Sequence, residues 1–156
     1  FASTGPNLAI ALRADVPEFK EVTRVHTPGE MAVSYLPEGG NPISFTESRA
    51  FVAEQNFFEI FDFKAKTGSL ETALEVPGNV VITQETATKY FGTEEAIGKT
   101  LLVNQGTDSF AFRVAAVLED IPTNSHIQFN MLLSMASFDD IEQRQHQWIW
   151  TTFVKR

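Results

Sequence analysis

The sequence predicts an α+β fold, and two features of its hydrophobic pattern indicate this class. Apolar runs of strand length are separated by turn residues, as at Val80–Thr83 and Ser109–Leu118. Apolar residues also recur at helical spacing in short segments such as Leu8–Val16. Short strands interspersed with short helices are typical of α+β domains.

The segment Pro77–Leu102 has the clearest local pattern in the chain. After a turn at Pro77-Gly78, the β-branched run Val80–Thr83 predicts a buried strand. Thr83 is a suitable N-cap for a following helix, and Gly92 stands where a left-handed residue would end it. Three side chains share one face of that helix: Ala87, Tyr90 and Phe91. The segment therefore predicts a strand, a short helix, a turn and a second strand.

The first half of the chain predicts one helix followed by several short strands. Leu8, Leu12 and Val16 recur at four-residue spacing, which indicates an amphipathic helix. The predicted strands are Phe19–Thr27, Met31–Leu36, Ile43–Thr46 and Arg49–Ala53, with a hairpin tip at Pro37–Pro42. Asn56–Phe61 then predicts a single helical turn capped by Asn56.

The last third of the chain predicts three more elements after the long strand Ser109–Leu118. Phe129–Met135 is apolar and predicts a strand. Ser137–Gln147 predicts a helix with Ser137 as its N-cap, and Thr151–Val154 predicts a final strand.

Composition excludes several classes of function. The 156 residues carry a formal net charge of −8, which disfavours binding to nucleic acids or anionic membranes through bulk electrostatics. The absence of cysteine excludes disulfides, thiolate metal sites and a cysteine nucleophile. The apolar runs are too short to cross a bilayer.

Gly98-Lys99-Thr100 invites comparison with a phosphate-binding loop, but the surrounding sequence argues against nucleotide binding. Five residues separate Gly92 from Gly98, whereas the motif requires four. The preceding Glu94 and Glu95 would place carboxylates where phosphate oxygens should lie. The three histidines lack the spacing of a helical metal pair. The sequence therefore predicts no catalytic residue, no cofactor and no metal ligand.

Two aromatic groups are candidate contact sites. Trp148 and Trp150 flank Ile149 on a strand-like segment and are candidates for a partner-facing patch. Phe57, Phe58 and Phe61 lie together in the predicted helical turn. Ordinary core packing is the alternative explanation for both groups.

Several short motifs occur in the order seen in a known family. They are N-F-F-E-I-F-D-F-K at Asn56–Lys64, G-S-L-E-T-A-L at Gly68–Leu74, V-V-I-T-Q-E-T-A-T-K-Y-F-G at Val80–Gly92, I-G-K at Ile97–Lys99 and V-L-E-D-I-P-T-N-S-H-I-Q-F at Val117–Phe129. Through them the chain resembles the periplasmic core domain of ABC-transporter permeases of the MacB-like, FtsX-like type, in a form common in Bacteroidetes. The resemblance covers residues 8 to 135.

The resemblance implies an extracytoplasmic domain inserted between the first two transmembrane helices of an export permease, at the periplasmic face of the inner membrane. Such domains are bilobed and perform no chemistry. The implied porter-like α/β lobe comprises residues 1–66 and 126–156, and the smaller, mainly β lobe comprises 67–125. The chain ends in a predicted strand, before the segment expected to return to the membrane, which indicates a fragment of a longer protein.

The same resemblance implies the partners. They are the transmembrane helices of the parent permease, a cytoplasmic ATPase, a second permease copy, and a periplasmic adaptor or lipoprotein. A small secreted enzyme or ligand-binding domain remains the alternative.

A lever mechanism is expected for such a domain. The helix Leu8–Val16 and the strand Thr151–Val154 would form its membrane-proximal root. The unit Val80–Val103 would lie distally, with the acidic turn at Glu94-Glu95 exposed. Phe57, Phe58 and Phe61 are the candidates for packing that couples the two lobes.

Overall fold

A computed structural model describes residues 8–15, 17–18, 21–105, 107–138 and 150–155. The helices are α1 (Leu8–Asp15), α2 (Phe57–Ile60) and α3 (Gln84–Phe91), with a 3-10 turn at Met135–Ser137. The strands are β1 (Glu21–His26), β2 (Met31–Tyr35), β3 (Ile43–Glu47), β4 (Ala50–Ala53), β5 (Ala65–Gly68), β6 (Asn79–Thr83), β7 (Thr100–Gln105), β8 (Asp108–Leu118), β9 (Met131–Ser134) and β10 (Trp150–Lys155).

All of these strands belong to one mixed sheet. Its order is β10-β1-β4-β9-β6-β8-β7-β2-β3, and β5 pairs with β8 beside this path. The pairs β4–β9 and β6–β8 are parallel, and the others are antiparallel. A mixed sheet with few helices confirms the predicted α+β class.

The predicted strand–helix–turn–strand unit is present as β6, α3 and β7. The Thr83 hydroxyl accepts a hydrogen bond from the Thr86 backbone N–H at 3.3 Å, so Thr83 is the N-cap that the sequence predicts. Gly92 ends the helix at φ 62°, a positive-φ conformation that glycine adopts without a Cβ penalty. Glu94 and Glu95 in the following turn are exposed, also as predicted.

Hydrophobic side chains fill both faces of the central strands. On β6, Val80 and Ile82 point to one face and Val81 to the other, since successive side chains alternate in a strand. The first face packs against α3 and is called the α3-side core. The opposite face packs against α2 and is called the α2-side core. Burial on both faces explains why β6 is a continuous apolar run.

The strand β10 confirms the predicted strand Thr151–Val154. It pairs antiparallel with β1, from Glu21 opposite Lys155 to His26 opposite Trp150. The helix α1 lies against β1. The predicted root elements at the two ends of the described chain therefore flank the same strand.

Three predictions need correction or stay open. The strand Phe129–Met135 was predicted too long, because β9 begins at Met131 and Met135 already belongs to the 3-10 turn. Most of the predicted helix Ser137–Gln147 lies outside the described residues. The lobe division also stays a prediction. Strands from the two proposed lobes pair directly in the sheet. One example is β2, from the range 1–66, which pairs with β7, from the range 67–125.

No helix in the described part of the chain has both the length and the apolar character needed to span a bilayer.

Candidate functional site: an aromatic cluster and an adjoining cleft

The short helix α2 presents its phenylalanines to the sheet. Its single turn is closed by the Phe61 backbone N–H, which donates to the Phe57 carbonyl at 3.1 Å. Residues four apart lie on the same side of a helical turn, so both rings face the sheet. Phe57 is completely buried, whereas Phe58 and Phe61 are half-buried.

Phe57 is the centre of an aromatic cluster on this side of the sheet. Its ring centroid lies 5.2 Å from Phe58, 4.7 Å from Phe61 and 5.8 Å from Phe129. The Phe61 ring meets Phe153 of β10 edge-to-face at 5.0 Å. The aromatic cluster comprises Phe51, Phe57, Phe58, Phe61, Phe63, Phe129 and Phe153. Edge-to-face contacts of this kind contribute about 0.5–1.5 kcal/mol each beyond the burial of area.

Polar contacts attach the start of α2 to β1. The Asn56 side-chain amide donates to the Val22 carbonyl at 2.8 Å, and it makes no capping hydrogen bond to its own helix. Asn56 does stand at the N-cap position of α2, as predicted, but its side chain bonds β1 and does not cap the helix. The pair Arg24 and Glu54 reinforces the attachment. The Arg24 guanidinium donates to Glu54 Oε1 at 2.7 Å, and the Arg24 backbone N–H donates to Glu54 Oε2 at 2.8 Å.

A cleft of about 400 Å³ opens beside the aromatic cluster. Its lining combines apolar side chains, namely Phe58, Phe63 and Leu70, with polar and charged ones, namely Gln55, Glu59, Asp62, Lys64 and Glu71. Phe58 thus has one side in the cluster and another facing solvent in the cleft. Because Phe58 is only half-buried, truncating its ring should cost less stability than truncating a fully buried phenylalanine.

A second polar group lies in the α3-side core. Glu47 at the end of β3 is only 2% exposed and accepts three side-chain hydrogen bonds. The donors are Lys89 Nζ at 2.7 Å, the Tyr90 hydroxyl at 2.7 Å and Asn130 Nδ2 at 3.0 Å. These four side chains are called the Glu47 network.

Ionisation in the Glu47 network follows from these contacts. Burial tends to raise the pKa of Glu47, but the hydrogen bonds from Lys89, Tyr90 and Asn130, together with the Lys89 charge, lower it below its ordinary value. Burial, the hydrogen bond to Glu47 and the Glu47 charge all raise the pKa of the Tyr90 hydroxyl. The network therefore holds a carboxylate and a neutral phenol, an arrangement that joins β3, α3 and the start of β9.

Comparison with known proteins assigns the family. The sequence model of the MacB-like periplasmic core domain matches residues 2–155. The chain belongs to this family. No curated protein sequence matches it.

Solved structures share the fold of this MacB-like core domain at low sequence identity. A domain described as part of a permease protein from Porphyromonas gingivalis superposes with a TM-score of 0.76 at 23% identity over 99% of this chain. The extracellular domain of the noncanonic ABC-type transporter YknZ from Gram-positive bacteria gives 0.64 at 14% identity over 98% of this chain and 73% of its own. The periplasmic region of MacB from Actinobacillus actinomycetemcomitans gives 0.59 at 14% identity over 98% of this chain and 80% of its own.

These identities establish the fold and nothing finer. The MacB-like core domain described here spans 63% of the length of the Porphyromonas structure.

The family-like segment Val117–Phe129 connects α3 to the α2-side core. The Asp120 carboxylate accepts a hydrogen bond from the Glu85 backbone N–H at 2.9 Å, next to the N-terminus of α3. The Gln128 side-chain amide donates to the Pro122 carbonyl at 2.7 Å and braces the loop from within. In this MacB-like domain, the segment therefore ties the end of β8 to the beginning of α3.

The Gly98-Lys99-Thr100 segment has contacts unlike those of a phosphate loop. It leads into β7, which begins at Thr100, instead of opening a helix. The Lys99 ammonium donates to Glu94 at 2.7 Å and to the Tyr35 hydroxyl at 3.3 Å. The hydrogen bond to Glu94, followed by that to Tyr35, raises the pKa of Lys99. The Lys99 ammonium is thus hydrogen-bonded to Glu94 of the preceding turn and to Tyr35 of β2.

The remaining candidates are only partly described. Trp148 lies outside the described residues, and Trp150 begins β10 with a side chain that also lies outside them. Their partner-facing role stays a prediction. His26 is buried, His126 is exposed, and the described residues contain no group of three or more side chains suited to a metal ion.

The sequence interpretation missed the Glu47 network. One signal was available: Glu47 alternates with Ile43 and Phe45 and so shares their face of the strand, where Ile43 packs against the α3-side core. A carboxylate at an inward position requires buried hydrogen-bond donors.

Proposed function

We propose that this chain is the extracytoplasmic domain of an ABC-type export permease and that it relays motion without chemistry of its own. Family membership supports a periplasmic domain of a membrane permease. The proposed partners are the transmembrane helices of the parent, its cytoplasmic ATPase, a second permease copy, and a periplasmic adaptor or lipoprotein that the domain contacts along with substrate.

The observation that carries this proposal is the position of the aromatic cluster. It packs against β10 through Phe153, and α2 lies against both β1 and β10. The same side of the sheet buries Val81 and Leu132 of the central strands. A displacement of the paired strands β1 and β10 would therefore be passed to the middle of the sheet through packed rings.

Packed rings can transmit such a displacement because protein cores are close-packed. They adopt discrete arrangements and do not deform continuously. In this proposal Phe57, Phe58 and Phe61 couple the root of the domain to its distal part. The distal part is the unit β6–α3–β7, with its exposed acidic turn.

Truncation of Phe61 tests this coupling. The Phe61→Ala variant removes the ring that contacts Phe153 while leaving the buried Phe57 in place. ATP hydrolysis by the parent permease, reconstituted with its ATPase in a bilayer and normalised to folded protein, is expected to fall several-fold because the outer domain no longer follows the transmembrane helices.

A matched control comes from the opposite face. Phe110 is also half-buried, and it meets Phe138 edge-to-face at 5.4 Å in the α3-side core. Phe110→Ala removes a comparable ring outside the proposed coupling path and should leave the normalised rate unchanged. Equal effects of the two substitutions would refute a special role for the aromatic cluster.

A further inference from the structure

The strand β3 forms one edge of the described sheet. It pairs with β2 alone, in a regular antiparallel register from Met31 opposite Glu47 to Tyr35 opposite Ile43. Its other side therefore presents backbone N–H and C=O groups that no strand of the described residues pairs. Natural proteins commonly protect such an edge with lysine, proline, a bulge or an inward-pointing charge. The five residues of β3 include neither lysine nor proline, and the register with β2 shows no bulge.

The charged residue of β3, Glu47, does not protect the edge either. Its carboxylate accepts hydrogen bonds from Lys89, Tyr90 and Asn130, which lie on the α3 side of the sheet. The lysine compensates the carboxylate charge within the same group of contacts. A strand that approached the edge would therefore meet no uncompensated charge on β3 itself.

Phe45, in the middle of β3, leaves apolar surface at this edge. Its ring meets Tyr90 edge-to-face at 5.4 Å, yet 39% of the residue remains exposed. In a paired strand the side chain directly opposite stands about 4.5–5.5 Å away between Cβ atoms. A strand added beside β3 would therefore cover the exposed part of Phe45 while its backbone pairs with β3.

We propose that the edge of β3 binds an extended segment of a partner protein, which adds a strand to the sheet. The backbone of β3 selects this kind of occupant, because only an extended chain repeats donors and acceptors at the spacing of a strand, roughly 3.3 Å per residue. The segment alternates apolar and small polar side chains. The apolar ones face Phe45, and the polar ones lie beside Ser44 and Thr46, which are exposed on the opposite face of β3.

The charges around the β2–β3 hairpin indicate that this segment has basic flanks. Two exposed carboxylates lie at opposite ends of the hairpin, Glu30 before β2 and Glu38 at the tip. Arg49, two residues beyond β3, shares a small pocket with Glu85 and Asp120, so its charge lies among carboxylates. The whole chain also carries a formal net charge of −8. A segment flanked by lysine or arginine is therefore attracted to this edge.

The same charges disfavour a second copy of this chain as the occupant. Antiparallel pairing of two β3 strands would bring Glu30 of one copy beside Glu38 of the other, at both ends of the contact. Each copy would also carry the net charge of −8. The proposal therefore commits to a basic segment from a different protein.

The contact is small, so the expected affinity is modest. The five residues of β3 span about 17 Å, and the area buried falls well short of the roughly 800 Å² per partner of a standard interface. A free peptide should bind with a dissociation constant on the order of 0.1–1 mM. This inference deepens the proposed contact with a periplasmic partner. Peptide binding to the chain can fail while the relay of motion, measured through ATP hydrolysis, stands.

A peptide of alternating sequence tests the site on the full chain. The probe is acetyl-KKTVTVTKK-amide, and its binding is followed through backbone amide shifts and hydrogen exchange of β3. Alternate N–H groups of β3 already point toward β2, so peptide at saturation should slow the exchange of every second β3 amide several-fold. The charge-reversed peptide acetyl-EETVTVTEE-amide should bind at least about tenfold more weakly.

Backbone methylation separates strand pairing from attraction between charges. Two versions of the basic peptide carry N-methyl groups, one on its valines and the other on its central threonines. In a strand only one of these two sets of N–H groups faces β3. One version should therefore lose at least about tenfold in affinity, and the other should bind like the parent peptide, although all three have the same charge.

A substitution in β3 locates the apolar contact. Phe45→Ser removes the half-covered ring and should weaken binding of the parent peptide about threefold to fivefold. Leu102→Ser is the matched control, because Leu102 is 43% exposed but lies on β7, which has β8 and β2 on its two sides. It should leave the affinity unchanged. If Phe45→Ser does not fold, the methylated peptides still decide the question on the native chain.

Every other outcome overturns the proposal. Equal binding of the two methylated peptides and the parent would mean that charge alone holds the peptide. Protection of β3 amides in concentrated chain without peptide would assign the edge to a second copy. Protection of consecutive β3 amides, shifts confined to other strands, or no saturable binding would show that no strand is added at β3.

Discussion

Glu47 places a carboxylate where a strand would ordinarily bury an apolar side chain. Burying a charge is costly unless hydrogen bonds and an opposite charge compensate it. Here Lys89 supplies the charge, and Tyr90 and Asn130 supply further donors. The Lys89 ammonium also lies 4.3 Å from the centre of the Phe45 ring. This cation–π contact holds the Lys89 side chain against β3.

We expect Glu47→Gln to lower the free energy of unfolding by about 1–3 kcal/mol near neutral pH, since it weakens charge-assisted hydrogen bonds in a buried position. In the native protein the pKa of Glu47 is depressed below 4.5. Its contribution is therefore complete above pH 4.5 and is lost as pH falls through the native pKa. Urea denaturation across this acidic range should show a shallower pH dependence in the variant.

Glu38→Gln is the control for this measurement, because Glu38 is exposed at the hairpin tip. It should change neither the free energy of unfolding nor its pH dependence by more than about 0.5 kcal/mol. A Glu47→Gln variant with the same acid profile as the native chain would show that the network does not stabilise the carboxylate.

For single residues, the local sequence pattern predicts the role of a side chain only where its hydrogen-bond partner is near in sequence. Thr83 caps α3 by bonding Thr86, three residues away, and its role was predicted. Glu47 bonds residues 42 to 83 positions away, and Asn56 bonds Val22. Asn56 was consequently assigned to its own helix, because nothing near it in sequence indicates that β1 lies beside α2.

Among the elements, β5 depends on a close backbone approach. Gly68 at its end has φ +79°, and a Cβ there would lie 2.5 Å from the Ala115 carbonyl oxygen and 2.9 Å from Ala116 Cα. These atoms belong to the backbone of β8 and cannot rotate away. Glycine at this position therefore permits the antiparallel pairing of β5 with β8.

We expect Gly68→Ala to destabilise the protein by about 1–3 kcal/mol more than Gly78→Ala. Gly78 has a similar φ of +80° but nothing within 4 Å of its added Cβ, so both variants share the conformational cost and only one has the clash. Urea denaturation of the two variants measures the difference. Equal losses would indicate that β5 moves away from β8 at little cost.

Secondary-structure elements, like single residues, were predictable from the sequence where their determinants are local and not where they depend on distant partners. The unit β6–α3–β7 was predictable because its caps, turn glycines and apolar periods are all local. The parallel pairs β4–β9 and β6–β8 join segments far apart along the chain, and hydrophobic periodicity does not encode such a partner. The strand order therefore had to come from the structure.

For the whole molecule, the proposed lobes share both the sheet and the cores. The α2-side core contains Phe57 from the range 1–66, Val81 from 67–125 and Leu132 from 126–156. The central strand β6, from the range 67–125, pairs with β9 on one side and β8 on the other. Relative motion of the lobes, if the lever operates, must therefore bend the sheet and cannot separate two cores.

A shared sheet predicts that the central strands of both proposed lobes unfold as one cooperative unit. Amides of β6 and β8 and amides of β4 and β9 should have opening free energies within about 1 kcal/mol of one another, because loss of either pair removes packing from the other. Native-state hydrogen exchange at increasing urea concentration measures these values directly. The edge hairpin β2–β3 should open at lower free energy, since β3 pairs with β2 alone within the described sheet. Two separate transitions, with β6 and β8 opening before β4 and β9, would show that the lobes are independent units and that the aromatic cluster is a flexible joint between them.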